Sequence, residues 1–220
     1  MSVTTGMKSI TADQVKEQQA AAAKQADHDH HVPTAGAMSG HVLANLQVLI
    51  RKLTQFRVTL RGVASEIDRQ LLDQLMQQAQ DHFDDLVADL AAQGEDFPTT
   101  TAEFGEYTML KEDPAFRFWT NDMKLDAVVN DIDTCQLFVS RAIPLANKEN
   151  KAVLAADMLQ LQRWHEQSIL RLQTRLGRQV TAGGGLLFGG EEEGRLSFVL
   201  ERGGGRFGVG GETWGPRRVT

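Results

Sequence analysis

The chain has little with which to form a crosslink, cross a membrane or hold a polyanion. Of its 220 residues one is cysteine, Cys135, so an internal disulfide is excluded and a reducing, cytoplasmic setting is expected. Cys135 falls in an apolar helical pattern and reads as a buried packing thiol. No apolar run approaches the 18 residues of a membrane-spanning helix, and "MSVTTGMKSI" lacks the basic start and apolar core of a signal peptide. There is no basic excess: net charge is −6, and residues 41–178 hold 15 basic against 20 acidic side chains. Such a body is a poor general binder of nucleic acid, whose phosphates need clustered cations, and it suits cations better. Alternating strand patterns are absent, as are a glycine-rich phosphate loop between strand and helix and a Ser/His/Asp set.

What is present divides into three zones. Residues 1–40 read as a flexible extension, because "ADQVKEQQAAAAKQAD" has helix-forming residues without an apolar stripe, and Pro33, Gly36 and Gly40 break the pattern. It carries "DHDHH", in which Asp27, His28, His30 and His31 form a short His/Asp tract suited to zinc or another divalent metal. Residues 179–220 are glycine-rich, with 13 of the chain's 20 glycines between 183 and 215, and are expected to be disordered.

Residues 41–178 carry the fold. Leu43, Leu46, Leu49, Leu53, Phe56 and Leu60 recur at three- and four-residue spacing and predict a first helix over 41–60, ended by Gly62. A second is predicted over 66–93, with Ser65 as its N-cap, Gly94 closing it, and Ile67, Leu71, Leu75, Ala79, Phe83, Leu86 and Leu90 inward. A connection over 94–114 has room for a short helix near 102–110. A third helix is expected over 115–147, opened by Pro114 and kinked or ended by Pro144, and a fourth over 148–178. Two tightly joined pairs separated by a long connection predict an all-α, ferritin-like four-helix bundle with one crossover.

The stretches "HVLANLQVLIRKLTQF", "RVTLRG" and "DHFDDLVADLAAQGEDFPTTTAEFGEY" together resemble the Dps family, the ferritin-like cage proteins of DNA protection during starvation. "HVLANLQVLIRKLTQF" is similar to that family's first helix, and "RVTLRG" stands in the place of its His-Trp-x-x-x-Gly signature. "DHFDDLVADLAAQGEDFPTTTAEFGEY" is similar to its second helix, glycine turn and connecting helix. The resemblance implies iron sequestration and stress protection, a homo-oligomer (a dodecamer in the family), possible DNA association, and a ferroxidase site shared across a two-fold axis. Carried over position by position, the five ligands of that site fall on Arg57, Arg69 and Asp73 of one subunit and Asp84 and Ala88 of its partner. Asp73 and Asp84 match; Asp85 and Asp89 flank Ala88.

Two ligand histidines have thus become arginines. A guanidinium has five donors, no lone pair and a permanent charge, so it binds no metal and repels Fe²⁺. The expectation is that Arg57 and Arg69 pair with Asp73 and Asp84, with the usual oxidation chemistry lost. A rearranged metal set of Asp73, Asp84, Asp85 and Glu66 is the alternative. A non-catalytic shell or DNA-associated scaffold, alone or co-assembled with an active paralogue, is the competing function. His82 and His165 read as partly exposed polar residues, and the acids of 81–89 with Glu103 and Glu106 as a solvated face or the lining of an ion pore.

Overall fold

The computed structural model describes residues 11–31 and 33–178. Among the described residues six α-helices follow one another: α1 (Ala12–His31), α2 (Ala35–Val58), α3 (Ser65–Gln93), α4 (Thr101–Tyr107), α5 (Asn121–Lys148) and α6 (Ala152–Arg175), with a 3₁₀ turn at Pro114–Phe118. No strand occurs among the described residues. None of the described helices is long and apolar enough to cross a membrane.

The apolar stripes do what their spacing predicts. Leu43, Leu46, Leu49, Leu53 and Phe56 of α2 meet Leu72, Leu75 and Leu90 of α3, Leu125, Ile132 and Cys135 of α5, and Leu154, Met158 and Leu172 of α6 in one core. Helices α2 and α3 run antiparallel, as do α5 and α6. The crossover returns the chain to the end where α2 stops and α3 starts, since Lys124 Nζ donates to the Thr59 carbonyl at 2.6 Å and Asn121 Nδ2 to the Arg61 carbonyl at 3.0 Å. At that end the fully buried Asp68 takes a two-pronged contact from Arg175, at 2.6 and 3.0 Å, and a third from Asn121 at 3.1 Å. Three donors around one carboxylate allow it to be buried. At the opposite end Glu149 accepts from the Ala35 amide at 2.9 Å, and Lys151 bridges Glu95 and Glu149, each at 2.7 Å.

Several boundaries differ from the sequence-based expectation, each for a local reason. Residues 12–31, whose helix formers lack an apolar stripe, form one helix within the extension. Helix α2 starts at Ala35, capped by Thr34, six residues ahead of the expected 41. Gly36 and Gly40 are therefore inside a helix, not breakers of one. A Cβ on Gly36 would meet the carboxylate tip of Glu95, and one on Gly40 would lie 3.3 Å from Pro98 Cδ, so α2 passes close to the crossover at both positions. Ser65 is the first residue of α3 and not its cap; Ala64 holds the cap position without a side-chain bond. Ile67 turns outward, 65 % exposed, and the buried stripe runs through Leu72 instead of Leu71. Pro114 opens the separate 3₁₀ turn, and α5 starts later, at the Thr120 cap. Pro144 does not end α5, which continues to Lys148 with Ala142 and Ala146 buried on either side of it.

Candidate functional site

Arg57 lies in the last turn of α2, beside the first half of α3. Its guanidinium meets Asp73 at 3.0 Å, with the two side chains 36 % and 44 % exposed. One of the two expected pairs is therefore present. Within the single chain Arg69 reaches Glu66, one turn back on its own helix, at 3.4 Å, and Asp84, expected to act from a partner subunit, accepts from Gln80 at 2.9 Å. Asp73 and Asp84 are eleven positions apart on α3, about 16 Å at 1.5 Å per residue, so a single chain does not bring them together. Ala88 is exposed on the same helix and offers no ligand atom. Asp85 faces away from this set, toward α6. Among the described residues no group of three or more His, Cys, Asp or Glu side chains is arranged to hold a metal ion. The backbone of Asp27, His28, His30 and His31 belongs to α1, but their side chains lie outside the described residues.

Glu103 stands at the solvent-exposed start of α4. It closes a capping box at the start of α4, accepting from the Thr99 and Thr100 amides at 2.8 Å each, while the Thr100 hydroxyl accepts from the Glu103 amide. Those backbone donors hold its carboxyl below the usual range.

A second ionisable cluster escaped sequence reasoning. His82, Asp85 and Leu86 of α3 line a recess with Asp157, Met158 and Leu161 of α6. Burial, then a proton shared with Asp89, then the charges of Asp89 and Asp85 push Asp157 up to about 7. His82 is lowered by burial, against the opposing pull of Asp85 and Asp81. Trp164 packs between His82 and His165, with ring centroids 5.3 and 5.2 Å away, and donates through Nε1 to Gln78 at 3.0 Å. His165 is fully buried rather than partly exposed. Burial first, and then His82, lower it to about 3, so it is neutral at physiological pH. Its Nδ1 bonds Gln136 Oε1 at 2.8 Å. No local motif marks this cluster, because Asp157 is a lone acid between α6 positions that otherwise read as an ordinary amphipathic helix.

A third feature is a buried ion pair. Lys52 Nζ of α2 lies 2.6 Å from Asp131 Oδ2 of α5 and 5.2 Å from the centre of the Phe116 ring. Burial raises the Asp131 carboxyl and Lys52 opposes that rise. The neighbouring Cys135 thiol is raised strongly by burial and by Asp131, so it stays protonated and inert.

The chain matches no protein-family model and no curated protein. It is similar to several solved structures. With DpsB of Lactococcus lactis MG1363 it shares 35% identity at a TM-score of 0.73, over 77% of this chain and 98% of that one. With DpsA of the same organism it shares 29% at a TM-score of 0.70, over 74% and 96%. Dps from Listeria monocytogenes, 22% identical at a TM-score of 0.63 over 66% and 94%, has the same fold. An identity above one third that runs almost the full length of DpsB accounts for the bundle, the capped crossover helix and the paired α5 and α6 together, and the chain belongs to the Dps family of ferritin-like proteins.

Proposed function

We propose that this chain builds a homo-oligomeric Dps-type shell that sequesters iron and contributes to stress protection without oxidising iron at the position the family resemblance marks. Iron in this reading is cargo, drawn by an acidic body and kept from the arginine-bearing site. The observation that carries the reading is the 3.0 Å pair between Arg57 and Asp73. It sets a permanent cation, with no lone pair to give, against one of the two carboxylates that match the family's ligand positions. At a few ångströms such a charge also opposes a second cation.

The test follows Fe²⁺ oxidation by hydrogen peroxide alongside mass by light scattering. The expected result is the mass of a dodecamer, iron retained with it, and oxidation no faster than without protein. Oxidation accelerated by the wild-type chain overturns the proposed loss of the site, and a monomer overturns the shell. The competing scaffold reading has the same 3.0 Å pair behind it and differs in cargo. A dodecamer that retains DNA but no iron, or that forms only with an active relative, decides for the scaffold.

A further inference from the structure

The seam between α3 and α6 is built from polar rungs. The two helices run antiparallel, and along most of the seam a donor on α6 meets an acceptor on α3. Arg175 donates to Asp68, Arg171 to Gln74 and Trp164 Nε1 to Gln78. At the far end Lys151, just ahead of α6, meets Glu95, just past α3. Between Gln78 and Glu95 the order changes. There α6 presents Asp157 and α3 answers with Asp89 and Asp85, so acceptors face acceptors.

That rung is complete only with a proton in it. Asp157 Oδ2 is shielded from water, and among the described residues no N–H or O–H reaches it. A buried acceptor without a donor costs free energy, and two carboxylates side by side resist ionising together. One proton removes both penalties by making one carboxyl a donor to the other. Burial first, and then Asp89, accordingly hold Asp157 up to about 7. The surroundings supply no substitute donor. His82 lines the same recess, but the acids that act on it are Asp85 and Asp81. His165, two turns further along α6, is neutral and turned to Gln136 of α5. Among the described residues no charge from α5, or from α6 itself, acts on Asp157.

We propose that Asp89 and Asp157 form a proton-dependent latch between α3 and α6: a shared proton fastens the first half of α6 to α3, and loss of that proton loosens this half alone. The neighbouring rungs keep the opening local. Lys151 with Glu95, and Trp164 with Gln78, carry their own donors and need no proton from solution. Opening solvates Asp157 and returns it toward its ordinary 3.8, whereas the closed form keeps the proton up to about 7. Closure is therefore strongest at low pH. It weakens by up to about tenfold per pH unit as pH rises between those two values, and is level above them.

Hydrogen exchange of the full chain, corrected for the intrinsic pH dependence of amide exchange, tests the latch. Between about pH 5.5 and about pH 7.5 the amides of residues 154–161 are expected to lose at least about tenfold in protection, while those of α2 keep theirs. Asp157→Asn puts an amide donor in place of the proton. It is expected to remove the pH dependence and to keep residues 154–161 protected at the higher pH, with helical circular dichroism unchanged. Wild-type protection that is the same at both pH values overturns the latch without need of a variant. An Asp157→Asn chain that loses protection as the wild type does also overturns it. So does a loss spread equally over α2, which would report opening of the whole bundle.

Discussion

An arginine in a ligand position changes more than one contact. It converts a lone pair into a fixed charge and so decides what its neighbours do. Asp73, free to bind a cation in a histidine setting, is here engaged by Arg57. The same residue-level logic governs Asp157, whose folded-state value near 7 lies well above its ordinary 3.8 because burial and the neighbouring Asp89 disfavour its charge. The folded chain then binds more protons than the unfolded one between those values. Stability from this group is full below the unfolded value and is lost as pH rises through about 7. His165 acts in the opposite sense: buried and neutral, it loses stability as pH falls below its ordinary 6.5. The urea midpoint of the wild type should therefore drop between about pH 6 and pH 8, and Asp157→Asn should flatten that drop. An equal slope in the variant would exclude Asp157 as the source.

At the scale of elements, α2 and α5 are joined by an ion pair inside an otherwise apolar core. Lys52 and Asp131 are 4% and 12% exposed at their side chains, at 2.6 Å separation. A buried pair of this kind is weak as a source of stability, because desolvation opposes the attraction, but removing one partner leaves a bare charge. Lys52→Met alone should lower unfolding free energy by about 3 kcal/mol, and Lys52→Met with Asp131→Leu should recover most of that loss, measured by urea denaturation at neutral pH. A single variant as stable as the wild type would mean that Asp131 takes up a proton or water at no penalty. Nothing in the local pattern marks Lys52 as buried, since it follows Arg51 and precedes Leu53 like any boundary lysine. Gly36 and Gly40 were misread for a related reason. Composition treats glycine as a breaker, whereas α2 carries both glycines in its interior, where Glu95 and Pro98 approach.

At the scale of the whole molecule, a site shared between subunits needs all its positions to be right at once. Arg57→His with Arg69→His restores two ring nitrogens, but Ala88 still lacks an acid. The triple variant Arg57→His, Arg69→His, Ala88→Glu should gain divalent-metal binding over the wild type by at least about tenfold, read by isothermal titration with Zn²⁺, and the double variant should gain less. No gain in either would mean that the backbone no longer presents these positions to a common point.

Periodicity alone carried the fold class and the sites of four helices, because burial of an apolar stripe is written into spacing at 3.6 residues per turn. The identity of the side chains alone also decided that Arg57 and Arg69 bind no metal, since that follows from the guanidinium and from no particular geometry. Tertiary structure decided the partners. It put Asp73 against Arg57, set Arg69 beside Glu66, buried His165, and set Asp157 beside Asp89. Those outcomes depend on the rotation of each helix about its axis and on which helix the crossover brings alongside. Residues tens of positions apart in the chain fix both.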